Sequence, residues 1–370
     1  MPRMRDLDRR RLHEALLLAH DAIGLSDPNP RVGCILGHED GRILSQGSTQ
    51  AAGHLHAEAA ALAQAARAGI DVRGATAWVT LEPCAHHGRT PPCADALIAA
   101  GVARVVVGIR DPFHRVDGRG VEALRAAGIA VDFADEAIAT ACRELNIGFH
   151  MRCEQQRPWV RLKIAASLDG RTALPDGTSQ WITGEAARAD GHAYRRRASA
   201  VLSGIGTVLE DDPRLDVRLV PTARQPRRVI VDSHLMTPLE ARVLQPPGEV
   251  LIFAAADEPH REQALRAAGV EVVHRPGPGG KVDLGAMMTE LARREVNELH
   301  VEAGHKLNAS LLRAGLVDEL LVYLAPTLLG DGREMAALGR LEALAQAPRW
   351  LFTDLARVGD DVRLLLRPRA

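Results

Sequence analysis

His56-Ala57-Glu58, then Pro83-Cys84, then Pro92-Cys93 with eight residues between the two cysteines, are the stretches on which the reading of this chain turns. One His and two Cys supply three zinc ligands. That is one fewer than a closed structural site needs, so the fourth tetrahedral position is left for water. The two thiolates would cancel the metal's charge, yet the metal can still bring the pKa of its water down to about 7. Glu58 lies two residues beyond His56, and residues so spaced do not share one face inside a helix. The metal is therefore expected off a helix end, with Ala57 to Ala68 as the helix and both side chains pointing past its first turn. Glu58 is then placed to take a proton from water and hand it to a leaving amine. An H-x-E triplet followed by Pro-Cys is the zinc deaminase pattern, although the cysteine spacing here is longer than C-x-x-C. Taken singly, His56 and Glu58 would read as an ordinary helix start and Cys84 as a small buried hydrophobe. Cys34, Cys142 and Cys153 have no spacing that calls for a metal and read as reduced thiols.

The 370 residues carry 46 Lys plus Arg against 47 Asp plus Glu, a net charge of −1. Such a length makes two domains the default. A neutral chain has no sequence-wide attraction to nucleic acid or anionic membrane, so a small-molecule substrate is favoured, with no nucleic acid and no membrane as partner. Leu16-Leu17-Leu18 faintly imitates a secretion signal, but Glu14, His20 and Asp21 interrupt it. Leu12, Ala15, Leu16, Ala19 and Ile23 instead fit one helical face. Five cysteines, two of them wanted as thiolates, suit a reducing cytoplasm.

Working outward, Val32 to Leu36 and Arg42 to Gln46 read as strands joined through Asp40-Gly41. Trp78 to Leu81 is a short strand that delivers Cys84, and Cys93 to Ala100 a helix stopped by Gly101. A strand at Val105 to Val107, a helix at Val121 to Ala127 and a strand at Ile129 to Phe133 complete this half. Alternating strands and helices predict a largely parallel sheet with a site at the strand ends. A polar stretch from Glu154 to Pro158 reads as the domain joint, giving domains at 1–153 and 158–370. The second unit is predicted to hold strands at Val160 to Ile164, Val201 to Ser203, Val229 to Asp232, Val250 to Phe253, His300 to Glu302, Leu320 to Leu324 and Val362 to Leu366. Helices are expected at Ala186 to Arg197, Glu262 to Ala268, Leu284 to Arg293 and Leu307 to Ala314, with Pro276 to Gly280 as a loop. Two strand-to-helix turns, Ser203-Gly204-Ile205-Gly206-Thr207 and Glu302-Ala303-Gly304-His305-Lys306, could bind phosphate through helix-start amides or could be turns with no ligand.

Longer strings carry a resemblance over the whole chain. They are Pro28-Asn29-Pro30-Arg31-Val32-Gly33-Cys34, Ala52 to Glu58, and Thr80-Leu81-Glu82-Pro83-Cys84-Ala85-His86-His87-Gly88-Arg89-Thr90-Pro91-Pro92-Cys93 in the first half. In the second half they are Leu162 to Arg171, Ser179-Gln180-Trp181-Ile182-Thr183-Gly184, Gly206-Thr207-Val208, Asp211-Asp212-Pro213, Val301 to Gly304 and Gly315 to Leu320. These resemble the bifunctional riboflavin-biosynthesis enzymes, in which a pyrimidine deaminase is fused to a pyrimidine reductase.

The resemblance implies an α/β architecture with an N-terminal cytidine-deaminase-like three-layer domain and a C-terminal dihydrofolate-reductase-like domain. It implies zinc (Zn2+) held by His56, Cys84 and Cys93, Glu58 as the catalytic residue, and NADPH as the reductant. The substrate would be a phosphoribosylaminopyrimidine, deaminated and then reduced from ribosyl to ribityl, in a cytoplasmic protein for which a homo-oligomer is possible. By matching position, Lys163, Ser179, Arg195, Leu215, Arg218 and Glu302 would contact the reductase substrate. Ala165, Trp181, Thr207, Asp211, Gly304, His305, Lys306, Leu307, Asn308, Ala309 and Ser310 would contact the cofactor. Arg195 and Arg218 suit a phosphate, which guanidinium grips through parallel hydrogen bonds. Lys163 and Glu302 could equally form a structural ion pair. Three stretches depart from the family pattern: Gly47-Ser48-Thr49 lacks an aromatic residue, Asp111-Pro112-Phe113-His114 lacks an Asn, and Leu235-Met236-Thr237-Pro238 lacks a basic residue before its proline. The alternatives to weigh are a deaminase of another nucleotide or base with a non-catalytic C-terminal domain, and a metal-stabilised binding module.

Overall fold

The computed structural model describes residues 4–85, 91–113, 116–245 and 247–369. Within the quoted strings, His86 to Thr90, and His114 in the second departure, lie outside the described residues. The chain divides into two compact units at Gln156/Arg157. No helix among the described residues is long and apolar enough to cross a membrane.

The first unit runs α1 (Asp6–His20), β1 (Gly33–Gly37), β2 (Ile43–Ser48), α2 (Ala57–Arg67), β3 (Thr76–Val79), α3 (Cys93–Ala99), β4 (Arg104–Val107), α4 (Arg119–Ala126), β5 (Ala130–Phe133), α5 (Glu136–Leu145) and α6 (Ile147–Gln155). Its sheet has the order β2-β1-β3-β4-β5. Side chains alternate across a strand, so each of the central strands feeds two layers. Ile35, Trp78 and Val106 pack with Leu12, Leu16 and Ile138 of α1 and α5. Leu36, Ala77, Val79, Val105 and Val107 pack with Ala57, Ala61, Leu97 and Leu124 of α2, α3 and α4 on the opposite side. The result is a helix-sheet-helix sandwich. Trp78 is fully buried, and its indole N–H donates to Asp8 at 2.8 Å. Burial alone would raise the Asp8 carboxyl, but Arg104, Trp78 and Arg5 hold it down at about 2.

The sheet of this unit is largely parallel, and the hairpin read at Asp40-Gly41 is present: β1 is antiparallel to both β2 and β3, so β2, β3, β4 and β5 all point the same way and β1 alone is reversed. The cause is a hairpin followed by a return through α2: Gly33–Gly37 is buried at every position and so lacks the alternation that marks many antiparallel strands. Helices α5 and α6, absent from the sequence reading, occupy its final stretch, and α6 continues through Glu154 and Gln155 into the expected joint.

The second unit runs β6 (Trp159–Ser167), β7 (Arg171–Ala173), α7 (Glu185–Arg197), β8 (Ala200–Gly204), α8 (Ile205–Asp211), β9 (Arg227–Val231), β10 (Val250–Ala254), α9 (Pro259–Ala267), β11 (Glu271–His274), α10 (Leu284–Arg293), β12 (Glu298–Val301), α11 (His305–Arg313), β13 (Glu319–Ala325), β14 (Arg333–Glu334), β15 (Trp350–Val358) and β16 (Asp361–Pro368). Nine strands form one sheet in the order β11-β10-β9-β8-β12-β6-β13-β16-β15. The seven strands from β11 to β13 are parallel, while β16 and β15 add an antiparallel hairpin at one edge. The strands β7, β11, β14 and β15 and the helix α8 are additions to the sequence reading. Register places Leu320, Val322 and Leu324 of β13 beside Leu366, Leu364 and Val362 of β16, with Phe352 and Leu355 of β15 continuing the same face. Phe352 and Leu355 are 66% and 68% exposed.

Candidate active sites

His56 is the residue before the first turn of α2, with φ −74 and ψ 168, and Glu58 falls in that first turn. The imidazole thus leaves the helix end while the carboxylate stays within it. Cys84 follows the carboxyl end of β3 and Cys93 opens α3. The structure brings the three together: His56 Nδ1 lies 3.7 Å from Cys84 Sγ and 3.5 Å from Cys93 Sγ. Tetrahedral zinc, with Zn–S of about 2.3 Å and Zn–N of about 2.0 Å, sets nitrogen and sulfur roughly 3.6 Å apart. The donor triangle therefore fits that metal, and it is the one group of three metal-binding side chains found among the described residues. Cys84 also accepts the Cys93 backbone N–H at 3.3 Å. The hydrogen bond from Cys93 pulls the Cys84 thiol well below the usual thiol range, with His56 adding to the effect, while Cys93 is pushed up as the proton-bearing partner. Glu58 is 3% exposed. Burial, followed by the Cys84 charge, raises its carboxyl to about 7.

Around this centre the backbone is closely fitted. A Cβ on Gly47 would lie 2.5 Å from Ala61 N, so α2 crosses β2 where no side chain is tolerated. Next to it Thr49 is buried, and its hydroxyl accepts the Val32 N–H at 3.1 Å. The Gly47-Ser48-Thr49 departure is thus occupied by packing and a backbone link. Asp111 accepts the Phe113 N–H at 2.8 Å, and burial raises its carboxyl to about 7. Sequence reasoning passed over Glu82, which is 3% exposed and accepts four backbone N–H groups.

In the second unit a cluster gathers at the carboxyl ends of β6 and β12. Val160, Leu162 and Ile164 enter one core, so the alternate residues Arg161, Lys163 and Ala165 face the other way. Glu302 takes Arg195 through a two-point contact of 2.5 and 3.0 Å. Lys163 Nζ stands 3.6 Å from the same carboxylate and His300 Nε2 3.3 Å. Burial alone would raise Glu302, but Arg195 and Lys163 hold it well below the usual carboxylate range. Arg195 spends a further N–H on the Asp216 carbonyl at 2.7 Å. Arg218, 43% exposed, gives NH1 to Asp216 Oδ1 at 2.7 Å. Its backbone N–H donates to His192, whose imidazole is lowered to about 4 by burial and by Arg195 and Arg218. Of the two arginines, Arg218 is therefore the one whose fork is turned less fully inward. Leu215 is buried with φ 51, a left-handed conformation unusual for a leucine.

The two strand-to-helix turns lie side by side. A Cβ on Gly204 would meet Leu307 at 3.1 Å and one on Gly304 would meet Thr207 Oγ1 at 3.6 Å. Ser203 Oγ donates to the Glu302 carbonyl at 2.7 Å. Asn308 is 2% exposed and gives its amide to Met335 O at 2.9 Å, while its Oδ1 is buried without a hydrogen-bond partner. Ser179 Oγ donates to Asp211 at 3.1 Å. Trp181 is 66% exposed with the Arg188 guanidinium 4.6 Å above its ring. His305, Lys306, Leu307, Ala309 and Ser310 belong to α11. The structure thus brings Lys163 and Arg195 onto the Glu302 carboxylate, links Arg218 to Arg195 through Asp216, and sets Thr207 against Gly304.

Residues 5–109 match the family model of the cytidine and deoxycytidylate deaminase zinc-binding region, and residues 158–364 that of the RibD C-terminal domain. Fold and sites together define the class, a zinc-binding deaminase unit followed by a reductase-type unit. The chain is 46% identical over 366 residues to the riboflavin biosynthesis protein RibD of Escherichia coli K12, covering 95% of this chain and 97% of that one. It is 39% identical over 364 residues to the RibD protein of Aquifex aeolicus, covering 98% and 99%. Acinetobacter baumannii RibD superimposes with a TM-score of 0.89 at 38% identity, covering 98% and 99% of the two chains. The diaminohydroxyphosphoribosylaminopyrimidine deaminase/5-amino-6-(5-phosphoribosylamino)uracil reductase of Thermotoga maritima does so at 0.86 and 32% identity, with the same coverage. The chain belongs to the RibD family of riboflavin biosynthesis proteins. The resemblance read from the motifs is borne out, as are both fold classes.

Proposed function

We propose that this chain performs two consecutive steps of riboflavin biosynthesis: hydrolytic deamination of 2,5-diamino-6-(5-phosphoribosylamino)pyrimidin-4(3H)-one in residues 1–153, then NADPH-dependent reduction of the ribosyl group to ribityl in residues 158–370. The observation that carries the reading is the His56-Cys84-Cys93 triangle with Glu58 beside it, in a chain that matches RibD proteins almost end to end.

His56, Cys84 and Cys93 would hold zinc, which when bound supplies a water acidic enough to lose its proton near neutral pH. Glu58 takes that proton and returns it to the departing amine; a carboxyl raised to about 7 is suited to both tasks. In the second unit, Thr207, Asp211 and Gly304 to Ser310 would hold NADPH, with Ala165 and Trp181 beside it, and the unpartnered Asn308 Oδ1 marks a polar group that a ligand can satisfy. NADPH supplies the hydride. Lys163, Glu302 and Arg195 form a polar cluster suited to the ribosyl chain, Ser179 and Leu215 would also contact the substrate, and Arg218 would take the phosphate. A reducing cytoplasm suits thiolates that must remain free to bind metal.

Purified protein given the diaminopyrimidine ribotide is expected to release ammonia with or without NADPH, and to consume NADPH in step with deaminated product. A zinc chelator should stop ammonia release yet leave NADPH consumption intact when deaminated substrate is supplied. Ammonia without any NADPH consumption would remove the reductase assignment, and chelator-resistant ammonia release the zinc assignment.

A homo-oligomer is part of the same reading. Phe352 and Leu355 extend an apolar sheet face into solvent, where an antiparallel hairpin would ordinarily be polar. Replacing both by Asp is expected to yield a monomer by light scattering; an unchanged mass would remove this face from any interface.

A further inference from the structure

Glu82 sits two residues before Cys84, yet its carboxylate is turned toward a different part of the first unit. Oε1 accepts the N–H groups of Gly120 at 3.1 Å and Val121 at 3.2 Å. Oε2 accepts those of Gly118 at 3.1 Å and Asp111 at 3.3 Å. Its own N–H donates to the Ile109 carbonyl at 2.9 Å. Five links thus join one residue to the β4–α4 connection, through Ile109, Asp111 and Gly118, and to the first turn of α4, through Gly120 and Val121.

The local chemistry explains why a distant carboxylate is used. The first amides of a helix have no partner within it. Helix α4 begins after Gly118, which has φ 90 and no side chain to cap with. Glu82 meets those amides instead, and negative charge at a helix N-terminus is favourable. The fit leaves no slack: a Cβ on Gly120 would lie 1.9 Å from the Pro83 carbonyl. β3 and β4 are adjacent parallel strands, so the Cys84 turn and the segment from Gly108 to Asp111 leave the same end of the sheet, where ligands bind in such folds. Asp111, on that segment, is fastened by its own N–H to Glu82, two residues from Cys84.

We propose that Glu82 is a positioning residue for deamination: by fastening Ile109, Asp111, Gly118, Gly120 and Val121 to the Cys84 turn it sets where Asp111 stands relative to the zinc triangle and thereby sets affinity for the aminopyrimidine. The proposal rests on the deaminase reading given above. A purely structural cap would lower the melting temperature and leave the kinetic constants alone, so the two roles separate in kinetics.

The test uses the full zinc-loaded chain with Glu82→Gln. Glutamine keeps the volume, but its NH2 group would face amide donors, leaving buried N–H groups unsatisfied. Zinc is expected to stay at wild-type stoichiometry and NADPH consumption with deaminated substrate to stay at the wild-type rate. KM for ammonia release should rise about tenfold, equivalent to roughly 1.4 kcal/mol, with kcat changing far less. Asp111→Asn should add less in the Glu82→Gln background than in the wild type, the signature of residues acting through one structure. Glu82→Asp, which keeps the charge but shortens its reach to the four amides, should reproduce the KM effect and decides the matter if Glu82→Gln folds poorly. An unchanged KM with only a lower melting temperature, additive effects with Asp111→Asn, or loss of zinc would each overturn the proposal. A wild-type chain that releases no ammonia would instead remove the deaminase reading itself.

Discussion

Glu58→Gln is expected to keep its zinc and lose ammonia release by roughly a thousandfold, within the 10²–10⁴ range that general acid-base groups contribute. The side chain is 3% exposed, so the substitution exchanges a buried titratable group for an isostere with little change in packing. The ligand atoms of His56, Cys84 and Cys93 are untouched, and the amide cannot carry a proton between two oxygen or nitrogen atoms. Removing a carboxyl held near 7 by burial also removes an ionisation from the pH profile of ammonia release. NADPH consumption with deaminated substrate is expected to be unchanged, because Lys163, Arg195 and Glu302 belong to the other compact unit. Metal analysis beside an ammonia assay checks both halves; ammonia release at the wild-type rate would strike Glu58 from the mechanism.

Glu302→Ala should act on stability and activity at once. It strips a buried carboxylate from Arg195, at 2.5 and 3.0 Å, and from Lys163, at 3.6 Å. Breaking a buried pair by removing one partner leaves an uncompensated charge and costs about 3–5 kcal/mol. For a unit of this size that corresponds to a melting temperature lower by roughly 10 °C. The sign follows from the depressed carboxyl: the stabilisation is present above the ordinary Glu pKa and is lost as pH falls through the lower folded value. The gap between wild type and variant should therefore be full at pH 7 and close only in strongly acidic solution. NADPH consumption should be abolished even below the new transition, while ammonia release from the first unit persists. A variant that melts like the wild type would show that Arg195 and Lys163 find other partners.

The sequence made the metal centre legible because His56, Glu58, Cys84 and Cys93 are chemically distinctive residues held by short local spacings. The same stretch hid Glu82, whose partners are backbone amides between 29 and 39 residues away and leave no side-chain trace. Core strands such as Val229 to Asp232 and Val250 to Phe253 announced themselves as apolar runs. Helix α8 did not, since seven residues containing Gly206 read as a glycine turn. Strand β15 was hidden by an irregular register between Phe352 and Asp354 that breaks its two-residue period. The antiparallel pairing of β1 with β2 was legible in Asp40-Gly41, but its pairing with β3 was not, as burial on both faces makes β1 look like a parallel strand. In the second site the identities of Arg195 and Arg218 were visible, but not the division of labour that turns one toward Glu302 and the other toward Asp216.

The order of strands in the second unit has a consequence for how the polypeptide acquires its shape during synthesis. β6 emerges from the ribosome first among them, yet its neighbours in the sheet are β12 and β13, residues 298–301 and 319–325. Val160, Leu162 and Ile164 must therefore wait, unpaired, through most of the translation of this half, whereas the β1 to β5 sheet can close as soon as residue 133 is out. Sequence-distant pairing of this kind is slow and leaves apolar strands exposed in incomplete chains, so the trailing half is the part of the nascent chain most open to aggregation.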